Sequence, residues 1–217
     1  MAPPSWPYCV HRAAPTPAIC DFAASRMLSR DPRDPSDPLA PPEVAAGWPG
    51  RLLVAAQFVL LGALALAAWA GVRAVDWATA ADDAGLLLRL LLAAVAIGAG
   101  VALGAAALRA NRPGNFNIRP EPHASGQLVQ AGPYRRIRHP MYSAVLLVGL
   151  GAALLAGAVP ATGFVTGLAA PAALATLAAL AVVLALKAGV EEQALSRRYP
   201  AYAAYVASTS RFVPGLY

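Results

Sequence analysis

The sequence predicts an all-α, polytopic membrane bundle of four transmembrane helices, the third and fourth a tight hairpin, followed by short cytoplasmic helices at the C-terminal end. Three observations predict it. Of 217 residues, 58% are hydrophobic and 13% charged, with a mean hydropathy of +0.53, whereas a soluble domain carries roughly 25% charged side chains. The apolar residues fall into four long runs separated by short polar segments. The basic excess, 17 Lys and Arg against 11 Asp and Glu for a net charge of +6, flanks helices instead of forming a domain of its own. It therefore reports membrane orientation, and a nucleic-acid partner is not expected.

Residues 1–50 hold eleven of the twenty prolines and nine charges of mixed sign. They have too little apolar surface to fold alone and read as a disordered Pro-rich tail. No basic start followed by an apolar core of ~7–15 residues marks a secretory signal there. Cys9 and Cys20 both lie in this tail, which leaves the apolar body without a disulfide framework or a CxxC metal site.

Leu52 to Val72 is 21 residues without a charge, enough at ~1.5 Å per residue to cross a ~30 Å hydrocarbon layer. A loop carrying Asp76, Asp82 and Asp83 leads to the second run, Leu86 to Leu108, interrupted by Arg89 alone. Arg89 lies one turn inside and reads as a side chain snorkelling to the interface. Within this run Gly98 to Gly104 contains a GxG and a GxxxG. These suit small-residue helix packing, and with no strand before them they are not a dinucleotide-binding fingerprint. Residues 51–108 thus form an N-terminal helix pair. Met141 to Ala158 and Phe164 to Leu186 are the third and fourth runs, joined by the five residues Val159 to Gly163, which allow only a tight turn. Pro171, inside the fourth run, is expected to kink it.

The loop from Arg109 to Pro140 holds six Arg and one Glu, so the positive-inside rule assigns it to the cytoplasm. With four spans both termini share that side, and the Asp-bearing loop faces the other. The expected location is a plasma membrane of the bacterial inner-membrane kind.

Polar residues cluster against the membrane in two cytoplasmic segments of the 109–217 core, 132-GPYRRIRHPMY-142 and the stretch from Glu191 to Tyr217. In the first, Pro140 opens a helix where its missing N–H costs nothing, which holds Arg138 and His139 at the membrane surface. Arg135, Arg136 and Arg138 with Tyr134 and Tyr142 suit either an interfacial anchor belt or a binding site. In the second, Glu191 and Glu192 stand where the fourth helix is expected to end, a position the helix dipole disfavours by ~0.3–1 kcal/mol each. They either bind a ligand or pair with Arg197 and Arg198. Pro200 separates this helix from a last one in which Tyr202 and Tyr205, three apart, share a face lying on the interface or lining a cleft. His11, His123 and His139 are isolated from the cysteines and from one another, so no metal is expected.

The order G-P-Y-R-x-x-R-H-P-M-Y, an apolar hairpin, then E-E-x-x-L-x-x-x-Y-x-x-Y-x-x-Y and a terminal R-x-x-P resembles the isoprenylcysteine carboxyl methyltransferase and phospholipid methyltransferase superfamily of integral membrane enzymes. The resemblance covers about residues 109–217. It implies a small helical bundle, S-adenosylmethionine as methyl donor, and a cytoplasm-facing cofactor pocket that a lipid-like or isoprenoid acceptor reaches laterally. Arg138, His139, Pro140 and Tyr142 match the family's RHPxY motif, and Glu191 and Glu192 its acidic pair. On this basis Arg138 and Glu191 are the expected catalytic residues, and Tyr134, His139, Pro140, Tyr142 and Glu192 the cofactor-binding ones. Tyr202, Tyr205 and Arg211 are expected to face the acceptor. Pro200 stands where many members have Gly.

A sulfonium is already activated, so positioning and water exclusion supply most of the acceleration. A carboxylate acceptor needs no base and only an orienting Arg138 or Arg211, whereas an amine or thiol must pass a proton to a Glu or to His139. Arg211 to Tyr217, R-x-x-P-G-x-Y, is also similar to the ending of NADPH-dependent membrane reductases of sterols and isoprenoids, but the acidic pair favours a methyltransferase. A non-enzymatic membrane scaffold is the remaining alternative.

Overall fold

Long apolar runs become helices here because a chain in hydrocarbon must satisfy its backbone internally. The computed structural model describes residues 48–78, 80–111, 128–158 and 168–215, all within one compact unit, Val44–Tyr217. Five α-helices occupy them: α1 Trp48–Arg73, α2 Ala84–Ala110, α3 Pro140–Ala156, α4 Ala169–Arg198 and α5 Tyr202–Ala207. Among the described residues no strand occurs, only an isolated parallel bridge between Ile137 and Ser210. The Pro-rich tail up to residue 47, both cysteines and the expected turn Val159 to Gly163 lie outside the described residues.

Asp83 starts α2, its carboxylate accepting the Leu86 N–H at 2.9 Å, which satisfies one of the donors a helix leaves open at its start. α3 is the central element and packs against α1, α2 and α4. Gly100 lets α2 approach it closely, since a Cβ there would lie 2.8 Å from the Ala144 carbonyl oxygen, the small-residue packing expected of this stretch. The main core joins Leu64 of α1, Ala153 and Ala156 of α3, and Ala173, Leu180 and Leu184 of α4. Phe58, Leu66, Leu91, Val95, Val182 and Leu186 point outward, as side chains facing lipid do.

Three helices are long and apolar enough to cross a membrane: Gly50–Arg73 within α1, α2 and α4. The fourth expected span is shorter. α3 has 17 residues, about 26 Å at the helical rise and below the ~30 Å of hydrocarbon. Pro171 is the third residue of α4, not an interior one. It sits in the first turn, where backbone N–H groups have no intrahelical acceptor, so it removes no hydrogen bond. α4 also runs well past Leu186, to Arg198. The pair Glu191–Glu192 is therefore interior to the helix and escapes the dipole penalty expected for it, while Arg197 and Arg198 fill the last turn, where cations are favoured.

Candidate active site

Three segments meet at the N-terminal end of α3. The first is the loop before it, where Gly132, at φ +58°, lies so close to α2 that a Cβ would be 3.1 Å from the Ala110 methyl. A 3-10 turn over Gly132–Arg135 follows, and Pro140 then occupies the first position of α3, buried. The second is the C-terminal half of α4, with Lys187, Glu191 and Glu192. The third is the chain after α5, which runs alongside the first. Ser210 N donates to Arg136 O at 3.0 Å, Arg138 N to Ser210 O at 2.8 Å and His139 N to Arg211 O at 3.1 Å, and Ser143 Oγ donates to Phe212 O at 2.6 Å.

Glu192 is the hub of the charges this zipper brings together. Its Oε1 accepts from Arg138 Nε at 2.8 Å and Arg211 Nε at 3.2 Å, and lies 3.2 Å from His139 Nε2. Its Oε2 accepts from Arg211 Nη2. Arg138 Nη1 also donates to the carbonyls of Thr209 and Val206. Glu191 is held more lightly. It accepts from the Tyr142 hydroxyl at 3.1 Å and lies 3.4 Å from His139 Nδ1. Its side chain is 33% exposed against 14% for Glu192, so Glu191 is the carboxylate open to a ligand.

His139 thus has a carboxylate at each ring nitrogen while only 6% exposed. Burial alone would lower its pKa, but the hydrogen bonds and charges of Glu191 and Glu192 outweigh it and raise the imidazole above its ordinary value. The ring stacks on Tyr142, with centroids 5.3 Å apart and planes 6° from parallel, and Phe212 leans on both.

Tyr205 donates its hydroxyl to the Tyr134 carbonyl at 2.7 Å, and burial pushes the hydroxyls of both tyrosines up to about 12. Both are therefore neutral donors at physiological pH. Tyr202, whose ring packs 5.9 Å from that of Tyr205, is 3% exposed, and its buried hydroxyl has no hydrogen-bond partner among the described residues. Burial, then the Glu192 charge, raises its pKa. An orphaned buried hydroxyl costs about 1–3 kcal/mol, which a ligand group would offset.

The structure thus gathers Arg138, His139, Tyr142, Glu191, Glu192 and Arg211 into one cluster. Pro140 shapes its edge. Tyr134 meets Tyr205 through its backbone, and Tyr202 packs beside Tyr205. Arg135 and Arg136 are exposed, as anchors would be. Sequence reasoning missed Ser143 and Phe212, which pin the C-terminal segment, and it missed the pairing of Lys187 with Gln57. The signal for that pairing was present: Gln57 is the only amide in the uncharged run 52–72, and Lys187 is the chain's only lysine. Among the described residues no His, Cys, Asp or Glu group has an arrangement that holds a metal ion.

Long lipid-facing helices carrying a dense ionic cluster at one end of the bundle define an integral membrane protein with an enzyme-like polar site. A family model for phospholipid methyltransferases matches residues 88–202, just over half of the chain, and the protein belongs to that family of membrane methyltransferases. The match takes in most of α2, the first motif and the second as far as Tyr202, while Tyr205 and the stretch Arg211 to Pro214 lie beyond it. No curated protein and no solved structure matches the chain.

Proposed function

We propose that this protein transfers a methyl group from S-adenosylmethionine to a lipid-like or isoprenoid acceptor at the cytoplasmic membrane face. The observation that carries the reading is the convergence of Arg138, His139 and Tyr142 with Glu191, Glu192 and Arg211 from separate segments of a membrane methyltransferase. The residues present fit the donor. Glu191 is a partly open carboxylate suited to an ammonium, Arg138 and Arg211 are guanidinium groups suited to a carboxylate, and the Tyr202 hydroxyl is buried without a partner among the described residues. Tyr134, His139, Pro140, Tyr142 and Glu192 are the proposed pocket residues, Glu192 acting by fixing both arginines. When bound, the donor supplies an activated methyl on a sulfonium.

The chain's own residues then position and desolvate. Arg138 and Arg211 orient an acidic acceptor, while Glu191 or His139 accepts the proton of an amine or thiol. Tyr202, Tyr205 and Arg211 are the residues proposed to face the acceptor. An apolar chain on it is favoured because a site among lipid-facing helices gains ~0.8 kcal/mol for each methylene it buries. Incubation of the purified protein in nanodiscs with methyl-labelled S-adenosylmethionine and a lipid extract is expected to label a chloroform-soluble product identified by mass. Label confined to water-soluble products would reject the lipid acceptor, and failure to bind the donor would reject the reading altogether.

The proposed topology, with residues 109–217 as the catalytic core and the Arg-rich loop cytoplasmic, rests on the positive-inside rule. In a Cys9→Ser, Cys20→Ser background, cysteine at exposed Gln130 is expected to react only from the cytoplasm and cysteine at exposed Ala78 only from outside. Reaction of both from one side would rule the topology out.

A further inference from the structure

We propose that Gln57 of α1 is a positioning residue for the site, acting through Lys187 and Tyr142 on the Glu191 carboxylate. The inference rests on the reading that Glu191 belongs to the methyl-transfer site. Gln57 precedes the family-matched segment 88–202, and it reaches the cluster across the helix interface. Lys187 Nζ donates to its Oε1 at 2.5 Å. Lys187 is 1% exposed, and its ammonium lies 5.3 Å from the centre of the Tyr142 ring. The Tyr142 hydroxyl in turn donates to Glu191. The chain of contacts therefore runs from α1 to α4, to α3, and back to α4 one turn beyond Lys187.

A polar side chain in a membrane helix is expensive unless it serves a partner. Gln57 lies inside the apolar segment Gly50–Arg73 and its partner is a buried cation. Lys187 and Glu191 are four residues apart on one helix, close enough to pair directly. An ammonium committed to Glu191 would take that carboxylate away from Tyr142 and His139. The amide of Gln57 gives the ammonium another acceptor, on the far side, and so keeps it under the Tyr142 ring. Glu191 is then left to the two groups that face a ligand. On this account α1 sets the orientation of a carboxylate it never touches.

The test compares the full chain in nanodiscs as wild type, Gln57→Met and Gln57→Glu. Met has nearly the same volume without the acceptor, and Glu keeps an oxygen at the same reach. The titratable and charged groups around the His139 ring are Glu191 and Glu192 of α4, one at each ring nitrogen, and Tyr142 of α3, stacked on it; Arg138 from the loop and Arg211 from the C-terminal segment reach it through Glu192, and Lys187 of α4 through Tyr142. In Gln57→Met, Lys187 turns to Glu191 and withdraws that negative charge from His139. The His139 titration midpoint, read by NMR on histidine-labelled protein, should fall, and in Gln57→Glu it should stay at the wild-type value. Methyl transfer should follow the same order, kcat/KM dropping about tenfold in Gln57→Met and recovering to within about threefold in Gln57→Glu. Identical midpoints in wild type and Gln57→Met would overturn the inference. Equal changes in both variants would also overturn it, since α1 would then merely fill space. A wild-type chain that neither binds S-adenosylmethionine nor transfers methyl would sink the proposed function instead. The His139 midpoint, which needs no turnover, would still decide the role of Gln57.

Discussion

The two ends of the bundle are built by different means. At one end, α1 and α3 finish around Val75, Ala80 and Ala158, a small apolar cluster joined by Leu86, with Asp83 capping α2. That end uses few atoms and ordinary capping. At the other, four ionic groups and three aromatic rings from three segments are drawn together around Glu192, and a buried hydroxyl is left over. A bundle does not need this second arrangement for stability, because buried ion pairs roughly break even against apolar packing. This excess of unneeded polarity is what supports placing the proposed site at that end.

The comparison breaks most visibly at Glu192. Glu192→Gln leaves Arg138 and Arg211 without their shared anion, so thermal unfolding in detergent should show a loss of about 3–5 kcal/mol, the usual cost of breaking one side of a buried pair. Donor affinity should collapse with it. An unchanged melting temperature would mean the zipper of Ser210 and Arg211 stands without the charges. Glu191→Gln sharpens the contrast, because this carboxylate is half-open. Calorimetry should show donor affinity weakened roughly tenfold, with the melting temperature almost unmoved. Equal stability losses in the two variants would erase the distinction between hub and open group.

The third prediction concerns pH and is smaller. His139 has a folded pKa raised above its unfolded value. Its contribution to stability is therefore complete below the unfolded value, near 6.5, and is lost as pH rises through the folded one. The melting temperature of the wild type should decline over that window, and His139→Gln should flatten the decline. A wild-type profile that rises there would contradict the protonated imidazole. The smallest effect belongs to the other end. Asp83→Ala should cost ~1 kcal/mol of stability through loss of the α2 cap and leave donor affinity untouched. A change in donor affinity would show the two ends to be coupled.

Much of this was legible in the sequence, for a physical reason. Charged side chains are so costly beside hydrocarbon that the few present, Arg138, His139, Glu191, Glu192 and Arg211, stand out against the apolar background, and their convergence follows from where the helices end. Hydropathy, however, reports burial in lipid and not helicity. It placed the end of α4 at Leu186, whereas Gln193, Ala194 and Leu195 continue the helix to Arg198 on propensity. The same limit put Pro171 inside a helix whose described start is Ala169. Nor were the separate partners of Glu191 and Glu192 legible: both reach His139, but Glu191 also meets Tyr142 whereas Glu192 meets Arg138 and Arg211, because a helix rotates each residue by about 100°. The contact of Gln57 with Lys187 joins positions 130 residues apart, so no local pattern encodes it and only the rarity of an amide in one apolar run and of a lysine in the chain could point to it.

On the proposed function Arg138 and Arg211 serve both Glu192 and a ligand carboxylate, and that double use has a kinetic side. Immobilising a long side chain on binding costs ~0.5–1.5 kcal/mol, and here folding has already immobilised both, since each donates to Glu192. A ligand carboxylate arriving beside them finds its cations in place. It also finds them partly neutralised, so the attraction is shallower than two free guanidinium groups would give. On the proposed function, quick capture with modest grip suits a transferase whose spent cofactor must leave before the next one enters, and the shared carboxylate would build it into the resting state with no moving part to reset between cycles.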